Sequence, residues 1–148
     1  ALTNKTNSGL PPRRSAQGLD ACRLALLLAV RERRADVAIG THEVFASAVG
    51  GVRLTEPGAD LALCLAMVSA LSDRPLPAEV VVFGEVGLAG ELRQVTHAPR
   101  RLAEAARMGF TRAIVPANSA NGVDGIALTR VSTLNEALLA VGLQRVAD

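Results

Sequence analysis

The run 59–71 constrains the fold most. It is apolar on nearly every side and is opened by Pro57-Gly58. Proline suits the first turn of a helix, where its missing N–H would have had no intrahelical partner. A helix without a polar face has to be buried, so other elements must pack around it. The continuous apolar run Val80-Val81-Val82-Phe83 reads as an interior strand. Apolar residues make up 49% of the chain, but the only aromatics are three Phe, so Ala, Val, Leu and Ile must build the core. Small aliphatic layers of this kind suit an α/β fold around a mixed sheet. At 148 residues the chain is long enough for one such domain.

Residues 1–17 are polar, carry Pro11-Pro12 followed by Arg13-Arg14, and read as a linker or tail leading in from an upstream segment. Residues 18–148 read as the folded domain. Asp20 is placed to cap a helix whose apolar positions Leu24, Leu27, Leu28 and Val30 lead to Arg31, Arg33 and Arg34, matching the helix dipole. Strands are predicted over 37–39, 44–49 and 52–54, the last after a bend at Gly50-Gly51. Beyond the apolar helix, Gly87 and Gly90 bracket a hairpin whose return strand runs over 91–95. A helix over 98–108 has Pro99 in its first turn and Gly109 at its end. Strands over 111–116 and 126–131 follow, and Thr133 caps a last helix to about residue 140. The predicted order is α-β-β-β-α-β-β-α-β-β-α, with no internal repeat.

Several chemistries are poorly supported. Cys22 and Cys64 fall in apolar helical patterns and read as buried thiols of a reducing compartment. With His42 and His97 they show no metal-ligand spacing, so no metal site is expected. The glycines of Gly84-Glu85-Val86-Gly87-Leu88-Ala89-Gly90 have the wrong spacing for a dinucleotide fingerprint, and a hairpin explains them. The chain's single lysine, Lys5, lies in the polar tail, which rules out a phosphate-binding loop ending in Gly-Lys and any Ser-Lys dyad unless the tail folds back. Ser47 and Ser69 have no base adjacent in sequence. No run reaches the roughly 18 apolar residues of a membrane span, and no signal-peptide centre is present, which points to the cytoplasm.

Arginine is the positive signal, with fifteen against one lysine at a net charge of only +2. Arg100, Arg101 and Arg107 lie on the predicted 98–108 helix and Arg112 just beyond it. Arg100 and Arg107 share a face with Glu104 between them, opposite a stripe of Leu102, Ala105, Ala106 and Gly109. Two readings stand: a solvated face partly neutralised by Glu104, or contacts to a nucleic-acid backbone. Without interleaved aromatics, base stacking on a single strand has little support.

Four segments carry a family resemblance: Arg23-Leu24-Ala25-Leu26-Leu27-Leu28-Ala29-Val30, Val49-Gly50-Gly51-Val52-Arg53-Leu54-Thr55-Glu56-Pro57, Val82-Phe83-Gly84-Glu85-Val86-Gly87-Leu88 and the run 102–116. They resemble the C-terminal domain of the bacterial RadA (Sms) family of DNA recombination and repair ATPases. That domain is itself similar to the proteolytic domain of Lon peptidases, which implies the Lon-type fold (ribosomal protein S5 domain 2-type). Matching the Lon pattern puts Gly58 at the position of the nucleophilic serine and Pro99 at that of the lysine. Neither side chain supplies the chemistry, so the resemblance implies a scaffold and no peptidase dyad. It also implies hexameric rings, single-stranded DNA binding and action with RecA. ATP, Mg and Zn sites are expected only in segments upstream of this chain, with no cofactor in the chain itself. Combined with the charge clustering, this makes Arg23, Arg100, Arg101, Arg107 and Arg112 the candidate DNA ligands. The alternatives are a pure oligomerisation module without DNA contact and a residual hydrolase using a base such as His97.

Overall fold

The computed structural model describes residues 1–5, 12, 14–20, 24, 27–28, 42–51, 53–119 and 121–143. Helix α1 (Asp60–Ser72) lies at the centre, entered through a tight 3-10 turn at Pro57–Ala59. Leu61, Cys64, Leu65, Met67 and Val68 of α1 are buried, and Leu63 and Leu71 pack at the margin, as its all-round apolar surface requires. The helix ends at Asp73 in the left-handed conformation (φ 50°), where the Ser69 hydroxyl donates to the Arg74 carbonyl at 2.6 Å. A short polar residue tolerates that conformation better than a branched one.

One face of α1 meets a three-stranded sheet ordered β1-β3-β2, from Leu2–Lys5, His42–Ser47 and Arg14–Gln17. β1 pairs antiparallel with β3 (Leu2 opposite Phe45), and β2 pairs parallel with it (Ala16 opposite Ala46). The stretch that its polarity marks as a tail thus supplies two strands. Edge strands keep one face in water, so their polar residues mask the pairing. Leu24, Leu27 and Leu28 are helical and buried against the same core, and the Leu24 amide donates to the Asp20 carbonyl at 3.0 Å. The predicted strand over 37–39 and the cationic helix end at Arg31, Arg33 and Arg34 lie outside the described residues. In place of a strand over 52–54, Leu54 makes a single parallel bridge to Leu19, while Val52 lies outside the described residues.

The other face of α1 meets a parallel sheet ordered β4-β7-β8, from Val80–Val82, Arg112–Pro116 and Ala127–Val131. Its central strand alternates. Ile114 joins the core around α1, whereas Ala113 and Val115 pack with Leu102 and Ala105 of α2 (Ala98–Arg107) on the opposite side. Between β4 and α2 comes a small hairpin, β5 (Glu85–Val86) with β6 (Leu92–Arg93), which turns through Gly90 at φ 79°. Helix α3 (Leu134–Ala140) returns to the α1 side through Leu134, Ala137 and Leu138. The Thr133 hydroxyl accepts from the Glu136 amide at 3.2 Å and caps the helix, and the Glu136 carboxylate accepts from the amide of the preceding Ser132 at 2.7 Å. The whole is mixed α/β. No described helix is long and apolar enough to cross a membrane.

Candidate functional site

Gly58, at the position matched to the Lon nucleophile, is buried within the turn that enters α1. Its carbonyl accepts from the Gly84 amide at 3.0 Å, tying the turn to the end of β4. A Cβ at this position would meet Val95 Cγ1 at 3.2 Å, Glu56 Oε1 at 3.4 Å and an Arg101 guanidinium nitrogen at 3.5 Å. Little room is left there for a serine side chain. Pro99, matched to the Lon lysine, is exposed in the first turn of α2.

Arg101, two residues on, reaches back across this point. Its Nε donates to the Thr96 carbonyl at 2.8 Å, and its terminal nitrogen donates to Glu56 Oε1 at 2.8 Å. The side chains of Arg101 and Glu56 are 30% and 48% exposed, so this is a partly exposed ion pair. Arg112 is also tied inward. From the first residue of β7 it donates to the Thr129 hydroxyl at 3.3 Å and to the Ala140 carbonyl at 2.6 Å. A guanidinium on the last carbonyl of α3 complements both its missing partner and the negative helix end.

Helix α2 separates its faces cleanly. Ala98, Leu102 and Ala105 are buried, while Arg100, Ala103, Glu104 and Arg107 are exposed. Ala106 is only half-buried, and Gly109, expected in the core-facing stripe, is exposed at φ 95° because it ends the helix. Arg107 forks onto Glu104, its Nε donating to Oε2 at 2.8 Å. The Arg107 hydrogen bond holds the Glu104 carboxyl below the usual carboxylate range, and Glu104 in turn raises the Arg107 guanidinium. Among the described residues Arg100 has no side-chain partner. The structure therefore brings Arg100 and Arg107 to one exposed face and engages Arg101 and Arg112 within the fold. Arg23 lies outside the described residues.

His97 caps α2 in the left-handed conformation at φ 60°, and His42 is the first residue of β3, opposite Lys5. Cys64 is buried in α1, and Cys22 lies outside the described residues. Among the described residues no three His, Cys, Asp or Glu side chains gather as a metal site would need. Ser69 is engaged in the α1 terminus and Ser47 donates toward Gln17 on β2.

Two further arginines escaped the sequence reading. Arg130 on β8 donates to the Ser119 carbonyl at 2.5 Å. Arg93 on β6 pairs with Glu91 at 2.8 Å. The Glu91 carboxyl lies below its usual range, first through a hydrogen bond from its own backbone and then through Arg93. Arg130 sits inside a strand pattern, and its partners in the loop after β7 leave no signal in sequence.

Comparison with known proteins decides the family. Residues 49–119, from the turn before α1 to the loop after β7, match the family described as subunit ChlI of Mg-chelatase. The DNA repair protein RadA of Escherichia coli (strain K12) is 53% identical over 129 residues, 86% of this chain and 28% of that protein. The chain belongs to the RadA family over this segment. RadA of Salmonella typhimurium is 59% identical over 106 residues, 72% of the chain and 23% of the relative. RadA of Mycobacterium tuberculosis (strain ATCC 25618 / H37Rv) is 47% identical over 133 residues, 90% of the chain and 28% of the relative. The chain thus spans between a quarter and a third of the length of most RadA proteins it matches.

Proposed function

We propose that this chain is a non-catalytic, Lon-like C-terminal domain of a RadA protein. On this reading it scaffolds ring assembly and offers the exposed arginines of α2 to single-stranded DNA. The carrying observation is the pairing of faces on α2. Arg101 on its inner edge closes over Gly58, where a Lon peptidase would need its nucleophile. Arg100 and Arg107 on its outer face stand in water, where phosphates reach them. Arginine is suited to phosphate by its planar fork, and phosphate contacts need no base readout.

The ring role draws support from the large apolar residues left in water. Val49 is 91% exposed beside Gly50, and Leu88 is 69% exposed in the hairpin between β5 and β6. ATP, Mg and Zn chemistry and action with RecA belong, on this reading, to the whole cytoplasmic protein.

The test combines sedimentation with fluorescence anisotropy on a labelled single strand. Binding that weakens steeply with salt supports the reading. Oligomers that never bind DNA would reduce the function to assembly. Turnover of casein abolished by His97→Ala would establish a hydrolase instead.

A further inference from the structure

The loop that joins β7 to β8 is fastened at both ends. Arg130 donates to the Ala117 and Ser119 carbonyls, and the Ser119 amide donates to the Pro116 carbonyl at 2.9 Å. At the far end Ile126 is buried, and the Ala127 amide donates to the Thr111 carbonyl at 2.9 Å. Asn121 and Gly122 lie between these anchors, exposed and outside any helix or strand. Loop asparagines often hydrogen-bond their own backbone. Among the described residues, however, neither the Asn121 side chain nor the Gly122 amide has a hydrogen-bond partner.

Glycine at 122 has a packing reason. A Cβ there would meet Leu128 Cδ1 at 3.1 Å and Cγ at 3.3 Å, so the close approach of Leu128 favours a residue without a side chain. The same missing Cβ leaves the Gly122 nitrogen unshielded beside the Asn121 carboxamide. The chain's other asparagines precede Lys5, Ser8, Ser119 and Glu136, each with a side chain that hinders attack by its own nitrogen. Asn4 is further held in β1 and Asn135 in α3.

We propose that Asn121 is a site of spontaneous covalent modification, deamidation through a cyclic imide. The Gly122 amide gives its proton to hydroxide, and its nitrogen attacks Asn121 Cγ. A C–N bond forms, the Cγ–Nδ2 bond breaks, and ammonia leaves with a proton taken from water. Water then opens the ring at either carbonyl, giving aspartate or isoaspartate. One water is consumed, one ammonia is released, and nothing is oxidised or reduced. The product carries a new carboxylate, which lowers the formal net charge of +2 by one. The isoaspartyl form also adds a methylene to the main chain between Ser119 and Ile126. The site is independent of the DNA-binding reading, because α2 contributes nothing to it.

The experiment incubates the full chain at mildly alkaline pH and follows it by cation exchange and peptide mass mapping. Methyl transfer from S-adenosylmethionine by an isoaspartyl methyltransferase reports the isoaspartyl product. An acidic species is expected that maps to Asn121, accepts methyl groups and forms faster as pH rises. Its rate should lie within several-fold of that of the free peptide N-acetyl-Ser-Ala-Asn-Gly-Val-amide. Asn121→Gln, whose carboxamide would have to close a larger ring, should lose the early species and keep the melting temperature. No acidic species, conversion mapping to another asparagine, a folded chain far slower than the peptide, or an unchanged rate in Asn121→Gln would each overturn the proposal.

Discussion

The Arg101 guanidinium donates to Glu56 Oε1 at 2.8 Å and so fastens helix α2 to the residue that precedes the Pro57 turn, 45 positions away. The same side chain holds the Thr96 carbonyl, which fixes its orientation. The predicted consequence is structural. Arg101→Ala should lower stability to urea by up to about 1 kcal/mol, the upper end for a partly exposed ion pair. Arg101→Lys should recover only part of it, because one ammonium lacks the planar fork that serves two acceptors. A double-mutant cycle with Glu56→Gln checks the coupling. An additive cycle would mean that the pair contributes nothing.

Gly58 leads to a second prediction. Gly58→Ser places a Cβ 3.2 Å from Val95 Cγ1, inside ordinary contact distance. Overpacking of this kind typically costs about 1–3 kcal/mol, so the variant should melt earlier. It should also show no casein hydrolysis, since Pro99 supplies no base. Combining it with Val95→Ala should restore part of the stability, which identifies the cause as steric.

Much of this architecture is legible in the sequence. Pro57-Gly58 before an apolar run, Gly87 and Gly90 around a hairpin, and Thr133 before Leu134 are local signals, and each element formed within a residue or two of its expected bounds. Partners far apart in the chain were not legible. Arg101 and Glu56 sit 45 residues apart, and Arg112 meets Ala140 across 28. Charge clustering alone therefore ranked Arg101 and Arg112 with Arg100. The strands β1 and β2 were hidden for a different reason: their residues are polar because most of their surface faces water.

Arg112 provides a third prediction. Arg112→Ala leaves the Ala140 carbonyl without its donor, at the end of α3 where positive charge is favoured. The loss should be about 1–2 kcal/mol. Faster amide exchange confined to α3 and the residues after it would locate the effect, whereas exchange rising uniformly across the chain would contradict it.

Glu104 gives a prediction in pH. Its carboxyl is held below the usual range by the Arg107 hydrogen bond, so its folded pKa is lower than its unfolded one. The linked stability is therefore present above the unfolded pKa and disappears as pH falls through the folded value. A carboxyl NMR titration should show the Glu104 midpoint moving upward in Arg107→Ala. An unmoved midpoint would mean that the pair is not formed in solution.

The central claim is that Arg100 and Arg107 present one phosphate-binding face. Its most direct measurement is the salt dependence of single-stranded DNA affinity for the chain and for Arg100→Ala/Arg107→Ala. Each phosphate contact on a single strand contributes about 0.7 to the log–log salt slope. The double variant should bind more weakly at every sequence tested and should lose about 1.4 from that slope. Affinity and slope both unchanged would contradict the account and leave the α2 arginines as a solvated face.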